Sequence, residues 1–203
     1  MIVRPASAKN GDLKCLVLDA MGVVFSAADD VAELLIPFVR NRGGTESADA
    51  IQSAYVEASL GAITPDAFWL RVGLRASLED DYLAGHSVTA GALDLLKRAE
   101  NRGVPVWLLS NDIERWSRRL RAAFGLEALL AGSVISSDAR VRKPDPAIYR
   151  YFLRRSGYGV EDILFVDDRQ KNVAAAGAVG IRALQFGGAT DFASITQLLR
   201  GDG

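Results

Sequence analysis

Short apolar runs that stop abruptly at polar residues constrain this chain more than any other feature. Cys15–Leu18 stops at Asp19, Val104–Leu109 at Ser110-Asn111-Asp112, and Ile163–Val166 at Asp167-Asp168. Ser133–Ile135 runs into Ser136-Ser137-Asp138, and Ile181–Leu184 reads as a further strand. Runs that are apolar throughout, rather than at alternate positions, suit strands buried on both faces of a parallel sheet. Amphipathic stretches separate them. Ala90–Arg102 carries Leu93, Leu95, Leu96 and Ala99 at helical spacing, and Asp112–Phe124 offers Asp112 as an N-cap before Gly125. Pro144–Ser156 has prolines in its first turn and Gly157 beyond its end, while Arg169–Val179 is alanine-rich and stops at Gly180. Strands alternating with helices predict right-handed crossovers and an α/β fold: a Rossmann-like parallel sheet with helices on both faces.

One block breaks the alternation. Asp29–Leu83 holds no convincing strand, but helical periodicity recurs over Val31–Val39, Ala48–Leu60 and Pro65–Leu74. A small all-helical cap inserted after the first strand is therefore expected over residues 27–86. The core would then comprise residues 1–26 and 87–203. Gly85 and Gly91 flank the return and suit either hinges or ordinary turns.

A chain of 203 residues can bury one sizeable core. Its net charge of -1 gives no global pull toward nucleic acid or anionic lipid. The basic cluster Arg115–Arg121 reads as a solvated helix face, since no interleaved aromatics or wider basic surface accompany it. The single cysteine, Cys15, lies in an apolar run and cannot form an internal disulfide, which suits a reducing cytoplasm. Met1–Leu13 has no apolar signal core, and no run reaches membrane-spanning length. The expectation is a soluble cytoplasmic protein without nucleic-acid or membrane partners.

In a parallel α/β sheet, ligands bind beyond the carboxyl ends of the strands. Asp19, Ser110, Asn111, Asp167 and Asp168 all occupy such ends. An Asp at one strand end is often only a turn former. Three polar, mostly acidic strand ends together are harder to dismiss. Gathered in one cleft, Asp19, Asp167 and Asp168 would repel one another, and a hard divalent cation such as magnesium would relieve them. Lys143, in the loop before the Pro144 helix, is the candidate for further neutralisation, although its position alone also suits a surface lysine.

These segments carry a resemblance. Leu16-Val17-Leu18-Asp19-Ala20-Met21-Gly22-Val23, Leu109-Ser110-Asn111-Asp112, Arg142-Lys143-Pro144-Asp145 and Phe165-Val166-Asp167-Asp168-Arg169-Gln170-Lys171-Asn172 resemble, in order, the four signature motifs of the haloacid dehalogenase-like superfamily. The helical insertion is similar to its caps. Leu60-Gly61-Ala62-Ile63-Thr64 with Phe68-Trp69 resembles the branch holding sugar-phosphate phosphatases and the phosphatase domain of epoxide hydrolases. The resemblance implies a magnesium-dependent phosphatase acting on a small phosphorylated metabolite through an aspartyl-phosphate at Asp19. It further implies that Ser110 and the Asn111 backbone hold phosphoryl oxygens and that Lys143 stabilises the nucleophile and developing charge. Magnesium would sit on Asp19, the Met21 backbone carbonyl and Asp167, with Asp168 nearby.

Met21 departs from that pattern. Phosphatases of the superfamily usually place there a second Asp, acting as general acid and then base, a role worth ~10²–10⁴-fold in rate. Three readings stay open: a slow or specialised phosphatase, displacement at carbon as in haloacid dehalogenases, and a binding or regulatory protein that keeps the fold. His86, the sole histidine, lies on the return from the insertion and is a candidate replacement base. Trp107, Trp116, Phe68 and Trp69 read as core, while Asn172 and Arg169 read as capping residues or as orienting Asp168. The small cap leaves room for a partner subunit over the cleft, so a homodimer is an open expectation.

Overall fold

The computed structural model describes residues 2–3 and 13–199. Most of the polar stretch Met1–Leu13 therefore lies outside the described residues. The strands are β1 (Ile2–Val3), β2 (Cys15–Leu18), β3 (Val106–Ser110), β4 (Gly132–Ile135), β5 (Ile163–Asp167) and β6 (Arg182–Gln185). They form one sheet in the order β1-β6-β5-β2-β3-β4. From β6 to β4 every pairing is parallel, as the continuous apolar runs predict. β1 is an unforeseen antiparallel edge on β6.

Side chains alternate across the sheet, so each strand feeds two cores. Leu16, Leu18, Leu164 and Val166 join the hydrophobic cluster on one face; Cys15, Val17, Ile163 and Phe165 join the cluster on the other. Both sets are essentially inaccessible to solvent, hence the lack of polar alternation in the sequence.

The helices are α1 (Ile36–Asn41), α2 (Ala48–Ser59), α3 (Pro65–Arg71), α4 (Glu79–Leu83), α5 (Ala92–Glu100), α6 (Glu114–Ala123), α7 (Ser136–Ala139), α8 (Pro146–Ser156), α9 (Gln170–Ala178) and α10 (Asp191–Leu198). α5, α6 and α10 pack on the first face and α8 and α9 on the second. Local chemistry sets several boundaries. Ser47 and Thr64 accept the Ala50 and Ala67 N–H groups at the starts of α2 and α3. The helix expected over Pro144–Ser156 starts two residues later: Asp145 caps it and Pro146 takes its first position. Asp112 is not the cap of α6. The chain is extended at Ile113, which takes that place, and Asp112 is buried behind the sheet ends instead.

Between β2 and β3 the regular structure is helical: a π-helical turn Val31–Leu35 running into α1, then α2 to α4 and a short 3-10 turn. Phe68 and Trp69 are fully buried within this block, as expected, and its apolar side chains continue into the cluster on the first sheet face. The basic cluster on α6 is solvated only in part, at Arg118 and Arg119, and its arginines also make ion pairs. Arg115 pairs with Asp66 and Glu79, Arg119 with Glu79 and Asp80, and Arg121 is itself buried against Ser117 and Glu114. Acids from a distant stretch of sequence turn the cluster into a seam between core and insertion. At that seam a Cβ on Gly61 would lie 2.5 Å from the Ser137 carbonyl oxygen, and its φ is +67°. Only glycine allows the two backbones to approach so closely. Among the described residues no helix is long and apolar enough to cross a membrane.

Candidate active site

Register brings the strand ends level. Leu18 of β2 lies opposite Leu108 of β3 and Val166 of β5. Asp19 thus leaves β2 beside the last residues of both neighbours, Ser110 and Asp167. Chain connections run outward from β2 in both directions, so a crevice opens there. A cavity of about 180 Å³ occupies it, lined in part by Asp19, Met21, Ser110, Asn111 and Lys143.

Lys143 is the hub. Its Nζ lies 2.8 Å from Asp19 Oδ1 and 2.7 Å from Asp167 Oδ2, and donates to the Leu109 carbonyl at 2.6 Å. The surface-lysine alternative is therefore excluded: the side chain is 1% exposed. Asn111 holds the segment in place from both sides, accepting the Lys143 N–H at 2.7 Å and donating its amide to the Lys143 carbonyl at 2.8 Å. The Asn111 carbonyl accepts from the Tyr55 hydroxyl of α2, which ties the insertion to the site.

Asp167 is the best-satisfied carboxylate. It accepts from the Arg169 N–H and twice from the Asn172 amide besides Lys143. Asn172 thus orients Asp167 rather than Asp168. Burial pushes the Asp167 pKa up, but Lys143 and these donors outweigh it and hold the carboxyl below its ordinary value. Asp19 is pushed the other way, well above the usual carboxylate range, by burial first and the Asp167 charge second, with Lys143 opposing. Asp168 is also raised, by burial and then by Asp167.

One oxygen from each of Asp19, Asp167 and Asp168 lies within 4.8 Å of the others. Asp168 Oδ1 is buried without a hydrogen-bond partner, an open oxygen beside two further carboxylates. The one ammonium pairs with Asp19 and Asp167 and leaves Asp168 without a salt bridge among the described residues. The donor set is all oxygen and under-neutralised, which fits a hard divalent cation. Gly22 makes the arrangement possible. Its φ is +78°, and a Cβ there would sit 2.6 Å from Asp168 Oδ2. Gly22→Ala is expected to displace Asp168 and to lose more than about 1 kcal/mol of stability, since alanine is strained at this φ; an unchanged unfolding midpoint would refute this packing argument.

Other expected residues lie elsewhere. His86 is buried between Phe25 and Tyr82, its Nδ1 bonded to the Leu83 carbonyl, and it does not line the cavity. It is not placed to replace a base there. Trp107 is half-buried against Phe152, and Trp116 is in the core. Gly91 opens α5 in a left-handed conformation and Gly85 closes a turn after α4. Sequence reasoning did not single out Asp30, Tyr55 or Arg142, all of which line the cavity. Nothing local in the sequence marks Asp30, because only packing buries it.

The model of one family, haloacid dehalogenase-like hydrolase, matches residues 13–180, which takes in the sheet from β2 to β5 and every motif at its strand ends. The chain belongs to the haloacid dehalogenase-like hydrolases. Among curated relatives of this hydrolase, a phosphoglycolate phosphatase of Rhodospirillum rubrum is 37% identical over 101 residues, covering 50% of this chain and 42% of the relative. A sesquiterpene phosphatase of Aspergillus oryzae is 30% identical over 134 residues, covering 62% and 68%. The chain spans less than half the length of the phosphoglycolate phosphatases it matches. A HAD family enzyme of Bacteroides thetaiotaomicron superposes with a TM-score of 0.77 at 20% identity, covering 91% of this chain and 98% of that one.

Proposed function

We propose that this hydrolase is a magnesium-dependent phosphatase of small phosphorylated metabolites, working through an aspartyl-phosphate at Asp19. The observation that carries the reading is Lys143 bridging Asp19 and Asp167, with Asp168 completing an under-neutralised carboxylate group at a cavity. Displacement at carbon by Asp19 would have no use for that surplus of negative charge. Phosphoryl transfer does, because a cation held there would neutralise the phosphoryl oxygens and lower the raised Asp19 pKa. Support also comes from relatives named as phosphatases, and from a neighbouring fold recorded in complex with magnesium and inorganic phosphate.

In this reading Asp19, Asp167 and Asp168 hold the ion together with the Met21 backbone carbonyl. Ser110 and the Asn111 N–H receive phosphoryl oxygens. Lys143 fixes Asp19 in line and stabilises developing charge; its backbone is locked by Asn111, so little reorganisation is needed. Residues 27–86 act as the cap that limits substrates to small molecules, with Tyr55 and Arg142 on its side of the cavity.

Mass spectrometry of the protein quenched during incubation with p-nitrophenyl phosphate and magnesium tests this. One phosphate is expected on Asp19, absent from Asp19→Asn and after chelation. Halide release from a 2-haloacid in chelator, with no phosphate uptake, would overturn the reading.

A further inference from the structure

Expelling an alkoxide from phosphorus requires a proton donor, and activating water afterwards requires a base. Met21, which lines the cavity two residues after Asp19, offers only a thioether, and that can do neither. Three carboxyl-bearing residues line the cavity: Asp19, Asp29 and Asp30. Asp19 is bound by Lys143 and the Ala20 N–H, and Asp29 accepts the Ala32 N–H. Asp30 differs. It is 6% exposed, and although its carboxyl accepts from the neighbouring Val31 N–H, its Oδ2 is buried without a partner. An unsatisfied buried oxygen is costly and calls for a functional account.

We propose that Asp30, carried by the helical insertion, is the acid and then the base of the hydrolysis at Asp19. The inference rests on the phosphatase reading above. In the first step an Asp19 oxygen attacks phosphorus and the bond from phosphorus to the leaving oxygen breaks. The protonated Asp30 carboxyl gives its proton to that oxygen, and the product departs as an alcohol. In the second step the Asp30 carboxylate takes a proton from water as the water oxygen attacks phosphorus. The bond between phosphorus and Asp19 breaks, inorganic phosphate leaves, and both carboxyls regain their starting forms.

The surroundings suit both roles. Burial, then the Asp29 charge, push the Asp30 pKa up to about 6, with Arg169, the Val31 N–H and Arg142 pulling it back. Buried Asp112 faces it from the β3–α6 loop, and Tyr55 and Tyr82 from α2 and α4. Both tyrosines are held far too alkaline to titrate, and the nearby Asp112 carboxyl is itself pushed up, mainly by burial. A carboxyl poised close to neutrality can serve as donor and acceptor in turn.

The test uses Asp30→Asn in the full chain with magnesium, assayed on p-nitrophenyl phosphate and on glycerol 2-phosphate. Steady-state hydrolysis of both should fall by about 10²–10⁴-fold. Nitrophenolate leaves without a proton, so phosphate should accumulate on Asp19 from the aryl ester but not from the alkyl ester. The parental pH dependence near pH 6 should vanish: the rising limb for the aryl ester, where Asp30 acts as base, and the falling limb for the alkyl ester, where it must be protonated. Adding Met21→Asp to Asp30→Asn should restore turnover by about tenfold or more, because a carboxyl then stands two residues after Asp19. A variant that merely misfolds would neither accumulate phosphate nor be rescued, and that result would overturn the proposal. Parental turnover of both esters by Asp30→Asn would overturn it too, leaving the phosphatase reading intact. Absence of phosphate on Asp19 in the parent itself would sink both.

Discussion

Lys143→Met is expected to lose most of its stability margin and nearly all hydrolytic activity. The ammonium is the shared partner of Asp19 and Asp167, and it also satisfies the Leu109 carbonyl. Removing it leaves two buried carboxyls facing each other, and breaking a buried ion pair from one side costs about 3–5 kcal/mol. For a chain of this size that is a fall in Tm of roughly 6–20 °C. Turnover should drop by roughly 10²–10³-fold, as when one donor to developing charge is lost. Burial alone would lower the Lys143 pKa, but Asp167 and Asp19 more than reverse it and raise it. A raised cation contributes fully below its unfolded pKa, so the parent keeps this stabilisation through neutral pH and loses it only in strong alkali. The variant's deficit should shrink on acidification, because protonating one carboxyl relieves the repulsion. Thermal unfolding between pH 4.5 and 8 measures both effects. Equal Tm values near neutrality would show that the hub carries no structural weight.

Glu79→Ala is the second large effect, far from the chemistry. Glu79 is 3% exposed and accepts from both indoles, Trp69 Nε1 at 3.1 Å and Trp116 Nε1 at 2.7 Å. It also pairs with Arg115 at 2.6 Å and Arg119 at 2.9 Å. Two of these partners are guanidinium groups of α6 in the core, and Trp69 belongs to the insertion, so one carboxylate ties the two together. Truncation orphans two buried indole N–H groups at about 1–3 kcal/mol each, while the part-exposed guanidinium groups can turn to water and add little. Burial raises the Glu79 pKa, but the Arg115, Trp116, Trp69 and Arg119 bonds outweigh it, and the net shift is downward. Stability from a lowered acid is present above its unfolded pKa and disappears as pH falls through the folded one. Parent and variant should therefore differ most at neutral pH and converge below the ordinary glutamate range. Hydrogen exchange should show α3 and α4 losing protection while β2 and β5 keep theirs. Unchanged exchange in α3 and α4 would mean that apolar packing alone holds the insertion.

The sheet was legible because its strands are buried on both faces and so must be apolar along their whole length. The ends were legible for the converse reason: Asp19, Ser110 and Asp167 interrupt such runs, where a polar residue has no other cause to recur. The antiparallel β1 was not, since two residues at a sheet edge leave no periodic trace. Asp112 and Asp30 were misjudged or passed over for one shared reason. An Asp ahead of a helix looks the same whether it caps the helix or is buried, and only the packing above it decides.

What the sequence by itself determined is the order of strands and helices, the helical interruption after β2, and which carboxylates stand at the strand ends. Those follow from local periodicity and from the alternation of side chains along a strand. Tertiary structure alone decided that Lys143 is buried between Asp19 and Asp167, that the α6 arginines grip the helical block through Glu79, and that Asp30 lines the cavity while one of its oxygens is buried without a partner. Each of these joins residues dozens of positions apart or depends on what covers a side chain. Burial of a charge is a property of its neighbours in space, which no run of adjacent residues records.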